Sequence, residues 1–338
     1  MSEKDRCPEK ILQWLEVDLG LHPESLEATA GDASFRRYFR AVVDDVSYIV
    51  MDASLDSENV AQFVMVARLF ERAGIHVPAV HEEDVSRGFL LLGDLGRRCY
   101  LDYLNESSAS LLYSDALNAL IRLQSGIEIE SCPLPFYRRE KMRSEMDLFQ
   151  DWFLRRLLGL EPTPSFQGMF DVVHELLIGS AMAQPMVCVH RDYHSRNLML
   201  VDEGNPGVLD FQDAVIGPVT YDLVSLLRDC YIAWPEDRVE SWVADYHALL
   251  NEQRLVDNIG LEQFMQWFDW MGLQRHLKAV GIFSRLKLRD NRPAYLGDIP
   301  RTLNYIGSIC ERYCELAEFR GFLQEVVFNR MSTVELFE

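Results

Sequence analysis

The chain has 338 residues, about half of them apolar and a quarter charged, and carries a net charge of −20 from 33 basic and 53 acidic side chains. That length suits two lobes, while so negative a field repels nucleic acid and anionic membrane surfaces and excludes both as expected partners. No apolar run approaches the ~20 residues that a bilayer crossing needs, and seven cysteines without metal-like spacing point to reduced thiols and a cytoplasmic setting.

The opening segment mixes charges with Ile11, Leu12, Leu15 and Leu19 in an amphipathic pattern, so it reads as a helix and not as a secretory signal. Gly31-Asp32-Ala33-Ser34 then offers small residues that would let backbone amides approach a phosphate. Phe35–Val43 and Ser47–Asp52 are two predicted strands joined by a turn at Asp44-Asp45. Asp56–Ala73 places Val60, Phe63, Val64, Ala67 and Phe70 at helical spacing, with Gly74 as the stop. Phe89–Leu92 is a buried strand that runs into the turn Gly93-Asp94-Leu95-Gly96.

Further on, the apolar runs Met186–Val189 and Leu198–Val201 flank the loop in VHRDYHSRNLML, and Glu203-Gly204-Asn205-Pro206 reads as a tight turn. Gly207–Asp210 should therefore return antiparallel beside Leu198–Val201, bringing Asn197 beside Asp210. With Asp192, one amide oxygen and two carboxylates would gather at one end of a hairpin, a donor set suited to Mg²⁺ and a nucleotide phosphate. From Leu273 onward, Leu273, Leu277 and Val280 form an apolar stripe, while Gln274, Lys278, Arg285 and Arg289 return to another face. Those cations are either a solvated helix face or part of a substrate site. Trp267, Trp270 and Tyr295 suit the core better than a sugar platform, and Cys310 and Cys314, four apart on a predicted helix, are expected to pack inside.

The pattern H-x-D-x-x-x-x-N followed by D-F is similar to the catalytic and metal-binding segments of the protein-kinase-like superfamily. The resemblance implies an α+β bilobal fold, with a small β-rich, nucleotide-covering N-lobe over residues 1–95 and a larger, mainly helical C-lobe over 96–338. It implies ATP and Mg²⁺ as cofactors, Asp192 as the base or orienting group for the attacking hydroxyl, His190 as a prop for the loop, and Asn197 and Asp210 as metal ligands. It also matches GDASFRRYFR, with Gly31 and Ser34, to the nucleotide-covering loop, and the backbone of Asp94 and Leu95 to the hinge that meets adenine. Gln212 replaces the glycine of D-F-G, and the short stretch to Asp222 leaves no room for an activation loop, so a peptide acceptor is not expected.

DFQDAVIGPVTYDLVSLLRD resembles instead the aminoglycoside phosphotransferases and choline kinases, in which the acid at Asp222 buttresses the catalytic loop. The strand SYIVMDA carries Met51 where protein kinases carry a phosphate-pairing lysine. Arg36, Arg37 or Arg40 is the substitute cation, or neutralisation rests more on magnesium. With VMDA, FLLLGDLG, and MGLQRHLKAVGIFSRLKLRD followed by YLGDIPRTLNYI, residues 29–310 resemble the anomeric N-acetylmuramate/N-acetylglucosamine kinases of bacterial cell-wall recycling. That implies phosphorylation of a small-molecule amino sugar at its anomeric hydroxyl, with Arg285 or Arg289 near a lactyl carboxylate or the transferred phosphate and no obligate protein partner. The alternatives are an aminoglycoside or choline acceptor, or a nucleotide-binding pseudokinase, for which Met51 is the support.

Overall fold

The computed structural model describes residues 7–29, 36–53 and 57–333. Packing divides the chain into two compact units, residues 1–126 with 196–213 and residues 127–195 with 214–338. The first unit thus takes in residues 96–126 and a later hairpin along with the predicted N-lobe.

The first unit opens with α1 (Cys7–Gln13), and Ile11, Trp14 and Leu15 pack on Phe39, Ala41, Val50, Phe89 and Leu91 of a five-stranded antiparallel sheet. Its strands are β1 (Ser25–Ala28), β2 (Arg37–Val43), β3 (Val46–Asp52), then, after α2 (Ser57–Arg72), β4 (Val80–Asp84) and β5 (Phe89–Gly93), in the spatial order β1-β2-β3-β5-β4. Asp44 and Asp45 both adopt positive φ, 49° and 64°, in the two-residue turn between β2 and β3. That is the left-handed pair a tight hairpin requires, and aspartate tolerates it. The apolar positions predicted for α2 are all buried, and Gly74, at φ 75°, closes the helix by donating to Glu71 O at 2.9 Å. The unit continues through α3 (Tyr100–Tyr103) and α4 (Ala109–Ser125).

The second unit starts with α5 (Arg139–Leu148), which runs on as a π-helical stretch, Phe149–Leu157. α6 (Pro164–Met182) follows, capped by Thr163 Oγ1 accepting from Phe166 N at 3.3 Å, with proline in the first turn. β6 (Met186–Val189) leads into the catalytic-type loop, after which the chain returns to the first unit for the hairpin β7 (Leu198–Met199) and β8 (Gly207–Val208). Back in the second unit, β9 (Val215–Pro218) pairs antiparallel with β6, and α7 (Tyr221–Leu227), α8 (Glu236–Glu252), α9 (Leu261–Leu288), α10 (Ile299–Arg312) and α11 (Ala317–Phe322) follow.

The 28-residue α9 is buried around most of its circumference. Leu273, Leu277 and Val280 are in the core as expected, and so are Trp267 and Trp270. The expectation of a solvated polar face fails for Gln274 and Lys278, which are buried beside Arg275. Two turns earlier, Asp269, with no exposed surface, meets Arg228 Nη1 at 2.7 Å, Arg312 Nη1 at 3.1 Å and Tyr313 Oη at 2.7 Å, which offsets its desolvation. The cysteine expectation is half right: Cys310 is buried in α10, but Cys314 lies in a separate 3-10 turn and is exposed. Cys99, Cys132, Cys188, Cys230, Cys310 and Cys314 are free thiols, and among the described residues no helix is long and apolar enough to cross a membrane.

Candidate active site

The second unit holds His190, Asp192 and Asp222. The loop after β6 turns sharply because Arg191 sits at φ 79°, a costly conformation for an arginine. Asp222 compensates at the start of α7: its two carboxylate oxygens accept the N–H of His190 at 2.6 Å and of Arg191 at 2.9 Å. Burial pushes the Asp222 carboxyl up to about 7 against the pull of these two amides. His190 is fully buried, and its Nδ1 accepts the N–H of Asp192 at 3.2 Å. The far end of the loop is clamped by Asp229, which accepts from Ser195 N at 2.9 Å and Ser195 Oγ at 2.5 Å.

Burial also pushes the Asp192 carboxyl up, but the charges of Lys278, His194, Arg275 and Arg191 outweigh it and hold the group down at about 2. It is therefore ionised at neutral pH, able to accept a hydrogen bond from a hydroxyl and later its proton.

The cations have their own anchor, Glu145 of α5. It accepts from Tyr137 Oη at 2.5 Å and from Arg191 Nη2, and lies 3.5 Å from Lys278 Nζ. Lys278 Nζ also donates to Tyr221 Oη at 3.0 Å, and Gln274 Nε2 to Tyr137 Oη at 3.0 Å. Burial pushes Glu145 up, yet Lys278 and Arg191 bring it below the usual carboxylate range. Sequence reasoning missed Glu145, Tyr137, Tyr221 and Asp229, and it read Lys278 only as one cation of a helix face. For Asp229 the signal was its place in the motif-bearing stretch that begins at Asp210; for Glu145 there was none.

Asn197 and Asp210 belong to the first unit. β7 and β8 are shorter than expected because their backbone partners lie elsewhere: Leu200 N donates to Arg98 O at 2.7 Å and Val208 N to His76 O at 2.7 Å. The register Leu198↔Val208 places Asn197 opposite Leu209, whose N–H it accepts at 2.9 Å, so Asp210 is one residue beyond direct pairing. Asp210 has φ 61° and accepts from Gln212 Nε2 at 2.6 Å, while Gln62 Nε2 donates to Gln212 O at 2.8 Å. Phe211 is fully buried against Phe63 and Phe70 of α2, at centroid distances of 4.8 and 5.7 Å. An aromatic peg thus fixes the segment that carries Asp210. The amide oxygen of Asn197 and the carboxylate of Asp210, both half-buried, are hard oxygen donors. Two such ligands fit magnesium, which keeps waters and takes phosphate oxygens for the rest of its shell.

Arg37 and Arg40, both considered for the missing lysine, are held by carboxylates. Arg37 Nη2 meets Asp52 at 2.8 Å, and Arg40 grips Asp94 with Nε at 2.5 Å and Nη2 at 3.0 Å. Asp94 also accepts from Ser47 Oγ at 2.6 Å and Gly96 N at 2.9 Å, so the Asp94-Leu95 turn is held by its own side chain. Arg36 precedes β2, Met51 is fully buried in β3, and Gly31 and Ser34 lie outside the described residues. In the second unit, Arg289 is exposed and paired with Asp290 at 2.8 Å. Arg285 is half-buried, its Nε has no hydrogen-bond partner among the described residues, and burial brings it below its ordinary value.

A phosphotransferase enzyme family model matches residues 25–257. The N-acetylmuramate/N-acetylglucosamine kinase of Pseudomonas putida is 46% identical over 313 residues, covering 93% of this chain and 90% of its own. The protein of the same name from Neisseria meningitidis serogroup B is 41% identical over 326 residues, covering 94% and 95%. Among solved structures, ADP-bound aminoglycoside phosphotransferase APH(2'')-Ib matches with TM-score 0.61 at 16% identity, over 89% of this chain and 98% of its own. Choline kinase LicA from Streptococcus pneumoniae matches with TM-score 0.60 at 13% identity, over 89% and 99%. The fold is the expected protein-kinase-like α+β fold.

Proposed function

We propose, from the premise that this chain belongs to the phosphotransferase enzyme family, that it transfers the γ-phosphoryl group of ATP to the anomeric hydroxyl of N-acetylmuramate and N-acetylglucosamine. The chain is an ATP-dependent kinase; the anomeric position and the choice of sugar are the finer reading. What carries the choice of sugar is that two relatives named for both sugars, each above 40% identity, align along nine-tenths or more of both chains; the anomeric position rests on the resemblance of residues 29–310.

The reaction asks little covalent chemistry of the protein and much positioning. Asp192 accepts a hydrogen bond from the sugar O1 hydroxyl and takes its proton late, as the bond to phosphorus forms and the bond to ADP breaks. A carboxylate is an adequate base for this acceptor, because an anomeric hydroxyl is more acidic than an ordinary alcohol. His190 and Asp222 hold the loop on which Asp192 sits, through the Asp192 and Arg191 amides respectively. Asn197 and Asp210 would hold magnesium, which when bound would supply positive charge to offset that developing on the phosphate oxygens. Gly31, Ser34 and Arg36 serve the phosphates, the backbone of Asp94 and Leu95 meets adenine, and Arg285 serves the lactyl carboxylate. Arg289, tied to Asp290, is the weaker of the two arginines for that task. The setting is cytoplasmic.

The test is incubation with Mg-ATP and, separately, N-acetylmuramate, N-acetylglucosamine and kanamycin, with products read by ³¹P NMR. Sugar 1-phosphates are expected. Phosphorylated kanamycin alone would reassign the acceptor, and nucleotide binding with no product from any acceptor would leave a pseudokinase.

A further inference from the structure

The polar cluster behind Asp192 holds more positive charge than its structural duties require. Glu145 is 4% exposed and already satisfied by the Tyr137 hydroxyl and the Arg191 guanidinium, with Lys141 Nζ a further 3.4 Å away at the surface. A third cation beside it, Lys278, is buried to 8% exposure on a helix that is apolar around most of its circumference. A buried ammonium costs several kcal/mol unless its charge is used; Lys278 uses it first on Glu145, 3.5 Å away, whose carboxylate it helps to keep ionised. The Tyr221 hydroxyl at 3.0 Å is an orienting contact and not a neutralising one. Tyr221 adjoins Asp222, which fixes the loop backbone, and Arg191 adjoins Asp192, so both neighbours of Lys278 lead to the same loop. The Lys278 charge also favours the ionised form of the Asp192 carboxylate.

We propose that Lys278 is a positioning residue of the transfer reaction: seated on Tyr221 and Glu145, it fixes the two side-chain contacts that lead to the loop at Arg191, and so holds Asp192 in the orientation that receives the acceptor hydroxyl. This rests on the reading of Asp192 as the residue that meets that hydroxyl. The lysine thereby acts on the acceptor side, independently of whichever cation replaces the lysine absent at Met51.

Steady-state kinetics on the full chain, with the acceptor that the wild type phosphorylates, test it with Lys278→Met, Lys278→Arg, Tyr221→Phe and Asp192→Asn. Misplacing a reacting group by about 1 Å costs on the order of 100-fold in rate. Lys278→Met should therefore lower kcat about 100-fold, with KM for ATP and for the acceptor within about threefold and the melting temperature preserved. Lys278→Arg should recover about tenfold of that loss. Tyr221→Phe, which keeps the ring packing and removes the oxygen under the ammonium, should lower kcat about three- to tenfold. The proposal is overturned if Lys278→Met keeps kcat within about threefold of wild type while Asp192→Asn is inactive. It is equally overturned if the loss merely follows a fallen melting temperature and vanishes on cooling. An Asp192→Asn protein with wild-type kcat would remove the premise itself, and a wild type that phosphorylates neither sugar would remove the substrate reading before Lys278 is tested.

Discussion

Gly281→Ala should damage this protein through a single methyl group. Gly281 lies one turn beyond Lys278 on α9, where that helix crosses the end of α5. A Cβ there would sit 2.4 Å from the carbonyl carbon of Leu148, 2.6 Å from its Cβ and 2.7 Å from its oxygen. Ordinary carbon–carbon contact begins at about 3.5 Å, so the helices must separate by about 1 Å. Two of the three atoms are backbone, so no rotamer change relieves the clash. Overpacking of this kind costs about 3 kcal/mol, at the upper end of the usual range. The gain of alanine over glycine inside a helix returns about 1 kcal/mol. A net loss of about 2 kcal/mol in a domain of this size lowers the melting temperature by about 4–8 °C. Gly168→Ala is the control: it lies in α6 with nothing within 4 Å of the added methyl, so only the helix gain remains and the melting temperature should rise by about 2–4 °C. Differential scanning calorimetry of both variants reads the two shifts. Because Glu145 and Lys278 flank this crossing, kcat of Gly281→Ala should also fall at a temperature where the variant is fully folded. A Gly281→Ala protein that melts at or above wild type, beside a Gly168→Ala protein that rises as expected, would refute the close approach of α5 and α9.

Asp210→Ala should abolish the magnesium-dependent part of nucleotide affinity while leaving metal-free ADP binding within about threefold; titration calorimetry with and without magnesium measures this, and an unchanged metal increment would sink the assignment. Acid should destabilise the protein through two buried histidines. Burial and the charge of Arg143 lower His174 to about 4, and burial lowers His276 to about 3. Each is neutral in the folded state and takes up its proton more readily when unfolded, near 6.5. Their stabilisation is therefore complete above pH 6.5 and is lost as pH falls toward the folded values, by about 3 kcal/mol each at pH 4. Neither ring nitrogen of His174 has a hydrogen-bond partner among the described residues, so His174→Leu should match wild type in urea unfolding at pH 7 and lose less stability at pH 4.5. Equal slopes against pH would show that His174 is not the group responsible.

What the sequence made legible is local. The Asp44-Asp45 turn, the stop at Gly74, the antiparallel return of β8 and the loop that carries Asp192 each follow from residues within a few positions of one another. Backbone preference and short-range periodicity settle them. The partners of charged side chains are settled by tertiary packing, and there sequence reasoning failed in a consistent direction. Arg40 was a phosphate candidate until Asp94, 54 residues away, was found to hold it. Gln274 and Lys278 made up a solvated face only while Tyr137, Glu145 and Tyr221 were unknown to be opposite.

One clue to the second error lay in the sequence itself. Trp267, Phe268, Trp270, Met271, Leu273, Leu277, Val280 and Phe283 point in every direction around one helix, a pattern that leaves no face for water. Polar residues embedded in such a helix must be buried, and a buried cation must have a carboxylate, a hydroxyl or a substrate to meet. Applied to α9, that rule marks Lys278 and Gln274, like Asp269, Arg275 and His276, as buried and partnered before any partner is known. It does not extend to Arg289, which lies beyond the apolar run and is in solvent beside Asp290. Arg285, in the last turn, marks the change from one regime to the other. It is buried enough to lose charge stabilisation and lacks a hydrogen-bond partner at Nε, the condition in which an anionic substrate group gains most by arriving.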